Sequence, residues 1–272
     1  MNIFQAIVLG IVQGITEFLP ISSSAHLVLT PYFFGWQIPE EQIFPFDVLV
    51  QLGTLIAVIL YFRWDVFRIA GAFVRGVVAR RPFDEADSRL GWLLILATLP
   101  AGVIGMLVKD MVEAAFQSVA ATAFFLFATA ALLVAAEWLG KQRRSFEYIE
   151  WKDALWMGFF QALSVFPGIS RSGATISGGV FRHLDRPAAA RFSFLMSIPV
   201  MLAAGFVSVV DLLNVPGLLS FLPVLLAGVI TSVIVGYFSI HWLLSFLRKR
   251  SLLVFAVYCA LLGLVTLLVF YL

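Results

Sequence analysis

The sequence predicts an all-α integral membrane protein built as an inverted repeat, and three observations carry that prediction. Of the 272 residues, 61% are apolar and only 12% are charged, too few charges to cover a water-soluble surface. The apolar residues form charge-free runs long enough to cross a bilayer, which takes about 20 helical residues. One polar pattern also occurs twice: Gln13-Gly-Ile-Thr-Glu17-Phe-Leu-Pro20-Ile-Ser-Ser-Ser-Ala-His26 and Gln161-Ala-Leu-Ser-Val-Phe-Pro167-Gly-Ile-Ser-Arg171-Ser-Gly-Ala-Thr175. Without gaps, Gln13, Phe18, Ile21, Ser22 and Ser24 match Gln161, Phe166, Ile169, Ser170 and Ser172, and upstream Ala6 and Gly10 match Ala154 and Gly158. The chain reads as a single polytopic domain over 1–272, with one repeat at about 1–140 and the other at about 150–272.

The elements follow in order. Residues 2–17 are apolar but too short to span, and Pro20 with the serine cluster stops that helix. Residues 24–35 form a second short piece, so the two make a re-entrant hairpin. Residues 36–46, with Trp36, Pro39, Glu40, Glu41 and Pro45, read as a polar loop. The first span covers 48–62. Trp64 to Val78, amid six arginines between Arg63 and Arg89, reads as an amphipathic surface helix with arginines for headgroups. Spans follow at 91–108 and 117–136, separated by a short loop at Lys109, Asp110 and Glu113. A second hairpin, 153–166 and 172–182, turns at Pro167-Gly168. The long apolar segments 187–212, 221–246 and 251–272 complete the chain, joined at Asn214–Gly217 and at the basic run Arg248-Lys249-Arg250. Tryptophans 36, 64, 92, 138, 151 and 156 fall at segment ends as interface anchors.

Arginine and lysine set the orientation. None precedes Arg63, so the N-terminus belongs outside, and the basic stretches 63–89, 140–152 and 247–250 belong in the cytoplasm. The first hairpin then enters from outside and the second from inside. Each precedes three spans, so the halves are related by a two-fold axis in the membrane plane and both termini lie outside. The N-terminus lacks a basic n-region and a cleavage site and reads as uncleaved. Cys259 stands alone in an apolar run, which excludes an internal disulfide and suits packing.

Broken helices at membrane depth are tolerated where they line a polar cavity, and helix N-termini there offer N–H groups to an anion. Ser22, Ser23, Ser24, Ser170, Ser172 and Thr175 add hydroxyls, and Arg171 adds a planar fork suited to phosphate. Glu17, with Gln13 one turn earlier, presents oxygens for a hard divalent cation, Mg²⁺ or Ca²⁺. His26 lies three residues after Ser23, placed to activate that hydroxyl or to attack phosphorus itself. The set points to hydrolysis of a phosphate ester or anhydride. Blander readings exist for each residue. Glu17 and Arg171 would also make a buried ion pair, the serines would cap helices, and His26 would bond backbone at an interface. Gln161 reads as structural, and Gln51 as lining a cavity or easing helix packing, with packing favoured. Arg182, His183 and Arg186 read as a solvated cytoplasmic boundary, and His241 as snorkelling.

On these two motifs, on Gln51-Leu-Gly-Thr54 and on Trp151-Lys-Asp-Ala154, the whole chain resembles the undecaprenyl-diphosphate phosphatase family, also called the bacitracin-resistance family. The resemblance implies hydrolysis of undecaprenyl diphosphate to undecaprenyl phosphate and inorganic phosphate, recycling the lipid carrier for cell-wall synthesis. It implies a multi-pass protein of the bacterial cytoplasmic membrane with its site open to the outer face and a divalent-cation requirement. Lipids are the expected partners, nucleic acid is not, and a homodimer is compatible. The family's acidic pair falls on Gln13 and Glu17, its serine–histidine pair on Ser23 and His26, and its arginine on Arg171, with Ser170 and Thr175 beside it. An amide at position 13 is a weaker metal ligand than a carboxylate, leaving Glu17 as the main one. The alternative class is a secondary transporter or lipid flippase, since inverted repeats with broken helices are the usual build of transporters. The Ser23, His26 and Glu17 set discriminates, because a pure transporter needs no nucleophile.

Overall fold

The computed structural model describes residues 1–116, 118–212 and 218–271, and the Asn214–Gly217 connection lies outside them. The described residues form helices joined by turns and loops, with a single isolated bridge between Arg144 and Leu184. In order the helices are α1 Ile3–Thr16, α2 Ser23–Phe33, α3 Glu40–Tyr61, α4 Arg63–Val78, α5 Ala86–Leu107, α6 Lys109–Phe116, α7 Val119–Leu139, α8 Trp151–Leu163, α9 Arg171–Phe181, α10 Arg186–Leu212, α11 Leu218–Leu247 and α12 Leu253–Tyr271. Six of them (α3, α5, α7, α10, α11 and α12) carry stretches long and apolar enough to cross a membrane. The 14 residues of α1 and 11 of α2 rise only about 21 and 17 Å, short of a bilayer core of about 30 Å.

Two boundaries differ from the sequence reading. α3 begins at Glu40 and runs through Pro45. A proline near a helix start removes one early hydrogen bond without halting the later ones, so most of the expected 36–46 loop is helix. The expected loop at 109–116 is α6, a short helix with Asp110 in its first turn, where a carboxylate suits the positive end of the helix dipole.

Ion pairs and hydrogen bonds gather many helix ends at one end of the bundle. Arg191 of α10 reaches Asp65 of α4 at 2.8 Å, and Arg68 joins Asp65 to Asp87 of α5. Arg186 at the start of α10 holds Glu137 near the end of α7 at 2.6 Å. The N–H of Leu252, between α11 and α12, donates to the same carboxylate. Arg144 and Arg182 both close on Asp153, which is fully buried at the start of α8. Arg182 and Arg186 therefore make structural ion pairs here. The opposite end is marked by the amino terminus, which donates to Gln42 at the start of α3.

The hairpin helices pack across the sequence. α1 lies along α11, and α8 lies along α5. The matched glycines of the repeated pattern make both approaches. A Cβ on Gly10 would stand 2.6 Å from the carbonyl oxygen of Gly228, and one on Gly158 would stand 2.6 Å from that of Ala97. Close backbone approach through small residues is how helices associate in lipid, where burial in protein gives little hydrophobic gain. The two hairpin tips meet between the ends of the bundle: Ser172 Oγ donates to the Leu19 carbonyl at 3.0 Å, and Gly168 N–H to Ser24 Oγ at 3.4 Å. Phe18, fully buried in the first tip, packs edge-on against Phe194 of α10 with centroids 5.5 Å apart.

Candidate active site

Each tip is a helix end, a short irregular turn and a new helix N-terminus. Ser22 caps α2, accepting from the Ala25 N–H at 3.5 Å, and Ser170 caps α9, accepting from the Gly173 N–H at 3.1 Å. Side-chain caps satisfy one of the free N–H groups at a helix start and leave others for a ligand. Gly168 turns the second tip at φ +96°, and a Cβ there would stand 2.3 Å from the Thr122 carbonyl of α7. Thr129 of α7 staples this turn, donating to the Gly168 carbonyl and accepting from the Ser170 N–H, both at 3.0 Å.

The first tip is strained where the second uses glycine. Ser22 stands at φ 70°, a region that costs a non-glycine residue roughly 1–3 kcal/mol and persists only where its surroundings enforce it. His26 supplies part of that enforcement. Its Nδ1 lies 2.7 Å from the Ser22 carbonyl, which can only accept, so Nδ1 carries the proton. Nε2 then accepts from the Tyr258 hydroxyl at 2.7 Å, and the two rings stack 7° from parallel. Cys259 next to it is buried, with its Sγ 3.6 Å from the Pro20 carbonyl. Thus α12 clamps the break in the first hairpin.

A cavity of about 500 Å³ opens between the tips. Its polar wall holds Gln13, Glu17, Ser22, Ser23, Ser24, Ser170 and Arg171, and apolar Leu27, Val28, Ile43 and Phe116 flank it. Glu17, 6% exposed, organises the polar wall. Its Oε1 accepts from Arg171 Nη2 at 2.7 Å, and its Oε2 accepts from Ser23 Oγ at 2.7 Å and Gln13 Nε2 at 3.1 Å. Two atoms of this group are buried without a partner: Arg171 Nη1, a donor, and Gln13 Oε1, an acceptor. A charged donor and a neutral acceptor without partners, in two residues that line one cavity, fit an anion with its cation.

The structure thus brings Gln13, Glu17, Ser22, Ser23, Ser24, Ser170 and Arg171 together. Ser172 and Thr175 do not line the cavity; Ser172 bonds the Leu19 carbonyl, and Thr175 bonds the Arg171 carbonyl at 2.7 Å and Ser193 Oγ at 2.6 Å. His26 is turned toward α12, and the hydroxyl of Ser23 donates to Glu17 rather than to it. The side chain of Gln161, the counterpart of Gln13, reaches the Ala97 carbonyl at 3.4 Å and no other group among the described residues. Asp47, Gln51 and Ser164 also line the cavity. The sequence reading missed Asp47; the signal that could have found it is a lone carboxylate at the start of an apolar span.

Among the described residues no three His, Cys, Asp or Glu side chains cluster so as to hold a metal by themselves. A cation here would therefore also draw on amide oxygen, substrate and water.

The family model described as bacitracin resistance protein BacA matches residues 6–265. A protein named undecaprenyl-diphosphatase from Chloroherpeton thalassium is 44% identical over 97% of this chain and 95% of its own length. Proteins of the same name from Nitrosococcus oceani and Myxococcus xanthus are 42% and 41% identical, each over 97% of this chain and over 97% and 87% of their own lengths. With a match along nearly its whole length and relatives well above the level at which membership is certain, the chain belongs to the BacA family of bacitracin resistance proteins.

Proposed function

We propose that this protein hydrolyses undecaprenyl diphosphate to undecaprenyl phosphate and inorganic phosphate, with Ser23 as nucleophile. The observation that carries this reading is the bond from Ser23 Oγ to Glu17 Oε2 at 2.7 Å, in a cavity also lined by Arg171, whose Nη1 has no partner. A hydroxyl, a carboxylate to take its proton and a fork for phosphoryl oxygens are the parts of a phosphoryl-transfer site. The relatives' name points to the substrate, and the apolar flank of Leu27, Val28, Ile43 and Phe116 suits the first isoprene units of a lipid tail.

The terminal phosphate lies against Arg171 Nη1 and the N-termini of α2 and α9. Ser23 Oγ attacks its phosphorus while the hydroxyl proton passes to Glu17 Oε2. The bond from that phosphorus to the bridging oxygen breaks, and undecaprenyl phosphate leaves with the proton. Water then attacks the phosphoserine, giving a proton to Glu17; the bond from phosphorus to Ser23 Oγ breaks, Glu17 returns the proton to Oγ, and inorganic phosphate departs. His26 acts through Ser22, holding the carbonyl of the strained residue beside the nucleophile. Gln13 Oε1 and Glu17 fit a divalent cation, Mg²⁺ or Ca²⁺, which when bound would neutralise charge on the phosphoryl oxygens.

The two halves read as an inverted repeat lying in the bacterial cytoplasmic membrane. The reciprocal packing of α1 on α11 and α8 on α5 supports this. The basic end is the cytoplasmic one. Ile43 and Asp47, in the half of α3 remote from that end, line the cavity, so the site opens to the outer face.

The test is phosphate release from undecaprenyl diphosphate by purified protein, with and without EDTA. Cation-dependent release that is lost in folded Ser23→Ala and Arg171→Ala variants is the expected result. Lipid binding with no release by the wild type would favour transport instead, and release unaffected by Ser23→Ala would remove the nucleophile.

A further inference from the structure

We propose that Asp47 and Gln51 of α3 are further oxygen donors to the cation, placing it between α1 and α3. This rests on the cation-dependent reading above and adds a second carboxylate to it. Ile43, Asp47 and Gln51 recur at intervals of four, lie on one face of α3 and all line the cavity. The Asp47 carboxylate has no hydrogen bond or ion pair among the described residues. Asp47 is partly exposed and lines the cavity, and an ionisable side chain within a membrane-crossing helix that faces such a cavity marks a ligand or ion position by default.

The second observation lies on α1, which packs directly against α3. Gln13 is 2% exposed, and its amide is oriented by the bond from Nε2 to Glu17, so Oε1 points away from that carboxylate and has no donor. An oriented, buried carbonyl oxygen without a donor is a ligand position for a hard cation.

Charge decides that one carboxylate is too few. Glu17 is neutralised by Arg171, whose Nη2 stands 2.7 Å away. A dication placed beside Glu17 alone would meet a pair of zero net charge and the repulsion of the guanidinium. Asp47 restores one negative charge to the cavity, and with Gln13 Oε1, Glu17 and Gln51 completes a set of hard oxygens from two facing helices. The remaining positions suit water and phosphate oxygens, the usual partners of Mg²⁺.

The test is direct cation binding in detergent, measured by titrating Mn²⁺ against its EPR signal and by Ca²⁺-dependent shift of the apparent Tm. Wild type, Asp47→Asn, Asp47→Glu, Gln51→Ala and Glu17→Gln are compared, and phosphate release is followed in parallel. The expected result is a cation dissociation constant raised about tenfold or more by Asp47→Asn, restored by Asp47→Glu to within about threefold, and raised less by Gln51→Ala. The cation concentration for half-maximal release shifts with it. Unchanged affinity in Asp47→Asn alongside weakened affinity in Glu17→Gln overturns the proposal and leaves the cation reading intact. Weakened affinity in Asp47→Asn without any phosphate release supports this site while removing the phosphatase reading. Phosphate release with no cation bound by the wild type overturns this site and leaves the phosphatase.

Discussion

Replacing Glu17 with Gln separates three roles that the structure gives to one carboxylate. Glu17 is 6% exposed and bonded to Arg171, Ser23 and Gln13. Breaking a buried ion pair by neutralising one partner costs about 3–5 kcal/mol. Here the amide oxygen still accepts one bond and the Arg171 side chain, 14% exposed, borders a wet cavity, so the loss falls near or below the low end, about 2–3 kcal/mol. Ser23 loses the group that takes its proton, which lowers kcat by roughly 10²- to 10⁴-fold. Arg171 loses its internal anion, so a competing anion binds more tightly, by about tenfold for 1.4 kcal/mol of released pairing. The assays are apparent Tm, steady-state phosphate release, and calorimetric titration of pyrophosphate in EDTA, where the cation does not confuse the comparison. Glu17→Gln must therefore lose rate while gaining pyrophosphate affinity. A kcat within about fivefold of wild type, or pyrophosphate affinity that falls, would refute the arrangement in which Glu17 serves both Ser23 and Arg171.

Further outcomes follow from other contacts. Asp153→Asn leaves Arg144 and Arg182 without their shared carboxylate; with both arginines partly exposed, the cost is about 3 kcal/mol and the apparent Tm falls roughly 6–12 °C. Burial alone would raise the Asp153 carboxyl pKa, but bonds from Arg144, the Glu150 N–H and Arg182 outweigh it and hold the value below the ordinary one. The stabilisation is therefore present above the unfolded carboxylate value near 4 and is lost as pH falls through the lower folded value, so the wild-type Tm drops in that acid window and the Asn variant's drops less. Gly168→Ala puts a Cβ 2.3 Å from the Thr122 carbonyl at a positive φ; the second tip must shift, and phosphate release falls at least tenfold with a measurable loss of Tm. Tyr258→Phe keeps the ring stack and removes the hydroxyl at Nε2 of His26; an ¹⁵N spectrum should show the altered ring nitrogen while the unfolding free energy changes by about 1 kcal/mol or less.

Much of this arrangement was legible from residue order alone, because bilayer length and proline placement leave few choices. The spans appear where charge-free runs predict them, and both hairpins break at the marked prolines. What escaped depends on partners distant in the chain. His26 shares a helix with Ser23, and spacing alone cannot show that Tyr258, on the last helix, engages its Nε2. Thr175 sits beside Arg171 in sequence, yet Ser193 accounts for its hydroxyl. The cavity-lining role of Asp47 was hidden by a boundary: with α3 starting at Glu40, the residue belongs to a helix face rather than to a loop end. Arg182 and Arg186 look like solvated charges until Asp153 and Glu137 are found against them.

The crossed packing of the hairpins also bears on how the chain is made. α1 is made before every other described helix, yet its main neighbour is α11. The chain between Thr16 and Leu218 is roughly 200 residues, so at 5–20 residues per second α1 waits on the order of 10–40 s for its groove. Through that time it is a helix too short to span, with its Gly10 and Gly14 face unpacked. α8 has no such delay, because α5 precedes it. The second hairpin can dock as it emerges; the first cannot. The pocket is therefore completed by the last third of the chain, and a polypeptide released before α11 and α12 carries every residue of the polar wall without the walls that hold them in place.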